Sequence, residues 1–322
     1  MKKKSSEIPG SASCPLCQSH QPQRRIFCKD ARSYLRCGGC GLVFSLPRPG
    51  EAELTGLYDE IGDDYFTDPR MLAFYFEPHR FERELGFVGC HLQPGSRLMD
   101  VGCCVGAFVA AAGGMGYQAS GIDISTAAVR YGRGRGLQLR VENLLTQHYA
   151  EPFDALSLWN VLEHVPEPLA FLRRGFELLR PGGFLFASVP NFHGLSQRLL
   201  GRRFNLVCRE HLNYFTPQTF TDAVVSVGFE SRAMHSIGFN PIALARDVVH
   251  GGTQLGRSEQ VERAAMTLRV VSSPLRRLQR RAERLLEWAN HSADVLLIAA
   301  QKPAASAGLP QRERITDVPV VH

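Results

Sequence analysis

Four cysteines in two pairs, Cys14-Pro-Leu-Cys17 and Cys37-Gly-Gly-Cys40, are spaced to hold a metal ion. Each C-x-x-C turn presents two thiolates at one corner, and two such corners complete the tetrahedron that zinc takes in structural sites. Gly38 and Gly39 supply the tight backbone of the second corner. A bound zinc ion would contribute roughly 10–16 kcal/mol of folding free energy to so small a module. Cys14, Cys17, Cys37 and Cys40 are therefore expected to form a structural zinc ribbon, with Cys28, between the pairs, taking no part.

A second set of residues lies where apolar runs end. Leu98-Met99-Asp100-Val101-Gly102-Cys103-Cys104-Val105-Gly106 places an acid and then glycines at a strand-to-helix turn. Such a turn lets backbone approach a ligand, and the helix N-terminus beyond it can receive an anionic group. About twenty residues on, Gly121-Ile122-Asp123 ends the next run. A carboxylate there can accept both hydroxyl hydrogens of a ribose. The turn itself reads G-C-C-V-G, which is not the G-x-G-x-x-G of dinucleotide-binding folds.

The third set is Arg209-Glu210-His211-Leu212-Asn213-Tyr214-Phe215. A histidine titrating near neutrality with a neighbouring glutamate is a candidate general base. Glu163-His164 is the rival pair and is expected to shape a pocket instead.

Positioning these residues requires a particular succession of elements. From Arg97 onward apolar strands alternate with helix-like stretches, the pattern of βαβ units and a parallel sheet. Strands are expected near 97–101, 117–122, 137–141, 153–159, 183–189, 229–237 and 294–301, with helices near 105–113, 125–135, 167–179 and 217–227. The fold class is α/β, a doubly wound Rossmann-like seven-stranded sheet with a small N-terminal zinc ribbon. The expected divisions are a ribbon over 1–50, a helical linker or lid over 51–94, a core over 95–301 and a disordered tail over 302–322. Within the linker, 70–92 reads as one amphipathic helix ended by Pro94-Gly95.

A helical insertion is expected over 250–290, before the last strand. Leu268, Val271, Leu275, Leu278, Ala282, Leu285 and Ala289 step by three and four, beside Arg276, Arg277, Arg280, Arg281 and Arg284. Packing on the chain's own core, a homodimer seam and a membrane-surface helix are the competing readings of that stripe.

Composition narrows the function classes. The 322 residues are 44% hydrophobic and 21% charged, ordinary for a globular protein. No run of about 18 apolar residues exists to span a membrane, and the basic start lacks a secretory signal's apolar region. A cytoplasmic location is expected. The net charge of +6 is uneven: residues 1–50 carry nine Lys/Arg against two acids, whereas 51–250 carry 17 against 22. A polynucleotide enzyme would spread positive charge over its active domain, so a nucleic-acid partner is disfavoured.

Further segments carry a family likeness: Phe153-Asp154-Ala155, Trp159-Asn160-Val161-Leu162-Glu163-His164-Val165-Pro166, Leu179-Arg180-Pro181-Gly182-Gly183 and Ser188-Val189-Pro190-Asn191. With the two strand ends above, this series resembles class I S-adenosylmethionine-dependent methyltransferases over roughly residues 95–300. The resemblance implies S-adenosylmethionine as cofactor, held by Asp100, Gly102, Gly106, Asp123, Asn143 and Asn160. Two positions depart from the pattern: Cys104 stands where the middle glycine is usual, and Asn143 where Asp is common. A narrower likeness, in the cysteine module and the Glu-His-x-x-Tyr-Phe segment, is to nucleotide-sugar C-methyltransferases. It implies that Glu210 and His211 remove a proton next to a keto group. The expected activity is methyl transfer to O or C of a small-molecule or carrier-linked acceptor, sugar-like or natural-product-like. The alternatives are an RNA methyltransferase gripping phosphate through the basic ribbon, or a degenerate, non-catalytic partner.

Overall fold

The structure is a computed structural model that describes residues 13–21, 23–49, 63–250, 281, 285 and 291–304. The N-terminal region forms a meander of β1 (Arg24–Lys29), β2 (Arg32–Arg36) and β3 (Val43–Leu46), all antiparallel. Asp30 and Ala31 turn the first hairpin with positive φ at both central positions, which matches the twist of the flanking strands.

Helices α1 (Asp63–Thr67), α2 (Pro69–Tyr75) and α3 (Glu82–Gly89) follow. The single helix expected over 70–92 is thus two, α2 and α3. Pro78 explains the break, because it disfavours helical backbone at the residue before it and cannot donate to the preceding turn. Asp68 caps α2 by accepting from the Arg70 amide at 2.8 Å, with Pro69 at the first helical position.

The remaining chain builds a seven-stranded sheet from β4 (Arg97–Val101), β5 (Gln118–Asp123), β6 (Leu139–Val141), β7 (Phe153–Trp159), β8 (Leu179–Pro190), β10 (Glu230–Ile237) and β11 (Val295–Gln301). Its order is β10-β11-β8-β7-β4-β5-β6, with β11 antiparallel to both neighbours and the other pairs parallel. Buried on both faces, the central strands are almost wholly apolar: Leu98, Met99, Leu156, Leu158 and Leu185 are inaccessible to solvent. Helices α4 (Ala107–Gly114), α5 (Thr126–Gly134), α6 (Pro168–Leu178) and α8 (Pro217–Val227) connect the strands. The last of these is started by a Thr216–Thr219 capping box and stopped by Gly228 at φ 109°. A short α7 (Leu195–Leu200) and an α9 (Pro241–His250) complete the described helices.

The ribbon is joined to this core. A two-residue strand, β9 (Asn213–Tyr214), adds to the edge of the small sheet by pairing with Val43 and Phe44 of β3. Leu16, Leu35, Leu42 and Phe44 share one apolar cluster with Leu158, Leu162, Phe215 and Phe220. Lys302, placed by sequence at the start of a disordered tail, belongs to the fold: its amide donates to Gly183 O at 2.9 Å, and its Nζ donates to Phe176 O and Leu179 O, each at 2.8 Å. The stripe over 268–289 lies outside the described residues apart from Arg281 and Leu285, both exposed. Among the described residues no helix is long and apolar enough to cross a membrane.

Candidate cofactor and acceptor site

The turn after β4 is built on left-handed backbone. Gly102, Cys104 and Gly106 have φ of 72°, 51° and 79°. A Cβ on Gly102 would lie 2.8 Å from Val161 Cγ2, and one on Gly106 2.8 Å from Leu137 Cδ1 and Leu139 Cδ1. Both conformation and space therefore call for glycine at 102 and 106. The Gly102 and Cys103 amides donate to Ile122 O at 2.8 and 3.0 Å, tying the turn to β5.

Asp123 completes this tie. Its Oδ2 accepts from the Cys104 amide at 2.8 Å and its Oδ1 from the Ser125 amide at 2.8 Å. The carboxylate is thus locked in one orientation at the mouth of the turn. Burial pushes its pKa up, against the pull of those backbone donors. Asp100, which pairs with Ser157 across the parallel strands β4 and β7, is almost fully buried. Burial raises its carboxyl to about 8, although Ser157 Oγ donates to its Oδ1 at 2.7 Å and works in the opposite direction. Asn160, at φ 54°, ends β7 and donates its amide to Ser188 Oγ at 3.0 Å. Asn143 Oδ1 accepts from the Leu145 amide at 3.0 Å, which leaves its Nδ2 and one lone pair to meet a base.

Cys104 shows why a side chain is tolerated at the middle position. Its amide still serves Asp123, while its thiol interacts with the Tyr75 hydroxyl on α2. Phe66, Leu72, Tyr75 and Phe76 pack with Cys104 and Tyr131 against Val105, Ala107 and Ala128. The α1–α2 segment is therefore a cover over the turn. Sequence reasoning placed a lid in 51–94 but did not single out Tyr75, for which no local motif exists.

The second half of the site joins two loops. After Asn160 the chain runs through Val161, whose methyl abuts Gly102, to Glu163 and His164. The loop before β9 brings His211 beside them, with the His164 and His211 rings edge to face at 4.6 Å. Leu212 N and Asn213 N donate to Glu163 O at 2.6 and 3.1 Å, and Asn213 Nδ2 donates to Leu162 O at 2.9 Å and Val165 O at 2.8 Å. His211 Nδ1 bonds Leu206 O at 2.8 Å, and Glu210 contributes its backbone carbonyl, which His164 Nδ1 meets at 3.1 Å. Glu163 Oε1 lies 3.9 Å from His164 Nε2, and the Glu210 charge acts on His211. Burial raises Glu163 to about 8 and lowers His164 to about 3 and His211 to about 4, so both imidazoles are neutral near pH 7. The Glu163-His164 dipeptide was visible in sequence; its meeting with His211, 47 residues beyond His164, was not.

At the ribbon, Cys14 Sγ lies 3.6 Å from Cys40 Sγ and Cys17 Sγ 3.6 Å from Cys37 Sγ, and all four sulfurs lie within 4.8 Å of one another. A zinc tetrahedron with Zn–S bonds of about 2.3 Å has edges of about 3.8 Å, so the four thiols fit the ion. The Gly39 amide, aimed at Cys37 Sγ at 3.3 Å, is the kind of donor that stabilises a ligating thiolate.

A family profile described as a methyltransferase domain matches residues 73–233, half of the chain. The chain belongs to the methyltransferase-domain family. A ubiquinone biosynthesis O-methyltransferase of Xanthomonas campestris is 38% identical over 106 residues, 30% of this chain and 44% of that protein. One of the same name from Albidiferax ferrireducens is 29% identical over 170 residues, 47% of this chain and 68% of that protein. The chain thus spans less than half the length of the first of these relatives. Among solved structures, phosphoethanolamine N-methyltransferase 2 of Haemonchus contortus, in complex with S-adenosylmethionine, superposes with a TM-score of 0.51 at 16% identity. That match covers 81% of this chain and 63% of the other, and shows a shared fold.

Proposed function

We propose that this methyltransferase-family chain transfers the methyl group of S-adenosylmethionine to a hydroxyl or an acidic carbon of a small-molecule or carrier-linked acceptor. The observation that carries the reading is Asp123, fixed by two backbone donors beside a turn that only left-handed backbone can form. When bound, the cofactor supplies an electrophilic methyl on a sulfonium. The turn at Gly102 and Gly106 admits its methionine part, Asp123 accepts from the ribose hydroxyls, and Asn143 meets the adenine. Asn160 lines the end of β7, and Asp100, behind the turn, ties β4 to β7 through Ser157.

The acceptor enters beside the Glu163, His164 and His211 cluster, where His164 remains 28% exposed. Deprotonation of the acceptor falls to this cluster, with Glu210 holding His164 through its backbone carbonyl. The relatives named O-methyltransferases favour a hydroxyl over a carbon acceptor. The cysteine module favours a sugar-like acceptor, by likeness to nucleotide-sugar C-methyltransferases. The deciding experiment supplies S-adenosylmethionine labelled at the methyl group together with panels of catechols, phenols and keto-sugars. Label appearing on one class identifies the acceptor, and label on none of them from a cofactor-binding protein contradicts a small-molecule role.

A further inference from the structure

We infer that Arg24, Arg36 and Arg198, with His193 beside them, form a binding site for a phosphate or diphosphate group on the seam between the ribbon and the core. Strand register brings the first two together. β1 and β2 pair antiparallel with Arg24 directly opposite Arg36, so both side chains leave the same face of the small sheet. Farther along that face Phe27 stands opposite Tyr34, and Tyr34 shares an apolar cluster with Leu200 and Phe204 of the core, against which Phe192 packs. The Tyr214 ring, 5.5 Å from Tyr34 and 5.6 Å from Phe192, links the two sides. His193 follows Phe192 in the chain, and Arg198 lies on α7, which leads into a single 3-10 turn, Gly201–Arg203, packed on β1. Burial lowers the His193 pKa, and the charges of Arg36 and Arg198 lower it further, which places the three groups in one patch.

Like charges directly across a strand pair are destabilising, yet among the described residues no carboxylate pairs with Arg24, Arg36, Arg198 or His193. Arg36 Nε is buried with no hydrogen-bond partner, a donor that has given up water without replacement. Among the described ribbon residues the one acid is Asp30, and over 191–214 it is Glu210. The charges of both act on Lys29. Lys29 stands opposite Arg32, a separation from Arg36 of roughly 13 Å along the strand. The acids of the seam thus sit at its hairpin end and leave the Arg36 end cationic, where the exposed Arg202 and Arg203 add to the field. A guanidinium meets phosphate oxygens through two parallel N–H donors, and the imidazole adds another. A group carrying two or more negative charges therefore relieves the repulsion among the three arginines and satisfies the buried Nε. The site stands on register and charge, whether or not the chain transfers methyl groups.

Inorganic pyrophosphate is the first probe, and the full-length, zinc-loaded protein is titrated with it by calorimetry in a chloride buffer. One ion per chain is expected to bind with submillimolar affinity and to shift the imidazole resonances of His193, identified by their loss in His193→Gln. Arg24 and Arg198 are exposed, so the double variant Arg24→Gln/Arg198→Gln removes charge without opening the core. It is expected to bind about 10- to 100-fold more weakly, whereas the control Arg173→Gln on α6 is expected to bind as the unaltered chain does. Circular dichroism and melting curves establish that each variant is folded. Vesicles of phosphatidylglycerol supply the second arm. Capture of the protein that pyrophosphate reverses identifies a lipid headgroup as the source of the phosphate, and absence of capture identifies a soluble phosphorylated ligand; with pyrophosphate bound, either supports the site. Absence of pyrophosphate binding, or binding unaltered in the folded double variant, overturns the inference.

Discussion

Arg48, just beyond the ribbon's last strand, donates through Nη2 to Asn213 Oδ1 at 3.0 Å. Asn213 in turn donates to Leu162 O and Val165 O, and the same Arg48 nitrogen reaches Pro166 O. One arginine and one asparagine thus fasten three segments together: the exit from the ribbon, the Glu163 loop and the His211 loop. Two further ribbon side chains grip the second loop, with Arg32 donating to Arg209 O at 2.9 Å and Lys29 to Val207 O. The ribbon is in this way part of the frame of the acceptor side.

Replacing Arg48 with Ala strands acceptors on both loops and removes a half-buried charge. A hydrogen bond to a charged group contributes roughly 1.5–3 kcal/mol, so denaturant unfolding is expected to show a loss of about 2–4 kcal/mol. Affinity for S-adenosylmethionine should change less than about threefold, because the Asp123 turn lies on other elements. An equal loss of cofactor affinity would contradict the separation of the two halves.

Metal removal from the four cysteines has a corresponding signature. Stripping zinc, or Cys37→Ser, is expected to raise amide hydrogen exchange at 206–214, where β3 pairs with β9, before exchange rises at β4 and β5. Uniform exchange across the chain would mean that the ribbon and the core unfold as one unit.

Cys104 occupies left-handed backbone at φ 51°, which costs a non-glycine residue about 1–2 kcal/mol. Its amide nevertheless does what a glycine amide would do for Asp123. Cys104→Gly is therefore expected to leave cofactor affinity within about threefold, and Tyr75→Phe to lower it only modestly. A gain of a hundredfold in Cys104→Gly would show that the thiol obstructs the site and that the domain is degenerate.

Asp100 makes stability depend on pH. Its folded-state carboxyl is raised to about 8 from an ordinary 3.8, so the folded chain holds more protons than the unfolded chain between those limits. Stability from this group is full at low pH and is lost as pH rises towards 8. Glu163, raised to about 8 as well, adds in the same direction. Melting temperature should fall less steeply with pH in Asp100→Asn than in the unaltered protein; an identical slope would mean that Asp100 is ionised in the folded state.

Much of this architecture was legible because it is local. The apolar runs at 97–101 and 153–159 and the glycines after them announce strand, turn and helix within a dozen residues, and Gly102 and Gly106 are needed for reasons the turn itself supplies. Asp123 was legible through its spacing from the first strand end. What was hidden depends on contacts between distant segments. The two residues of β9 carry no strand signal and are defined by Val43 and Phe44. Glu210 suggested itself as the partner of His211 by adjacency, and its charge does act on that imidazole, whereas the approach of Glu163 from another loop carried no local signal. Pro78 was visible, but the long apolar periodicity of 70–92 masked its effect.

The measurement that bears most directly on the proposed function is calorimetric titration of the zinc-loaded chain with S-adenosylmethionine, alongside Asp123→Ala. Binding at micromolar concentration, lost at least a hundredfold in folded Asp123→Ala, is the expected result. No binding by the unaltered chain, or equal binding by the variant, would contradict the assignment of the Gly102–Asp123 turn as the cofactor site.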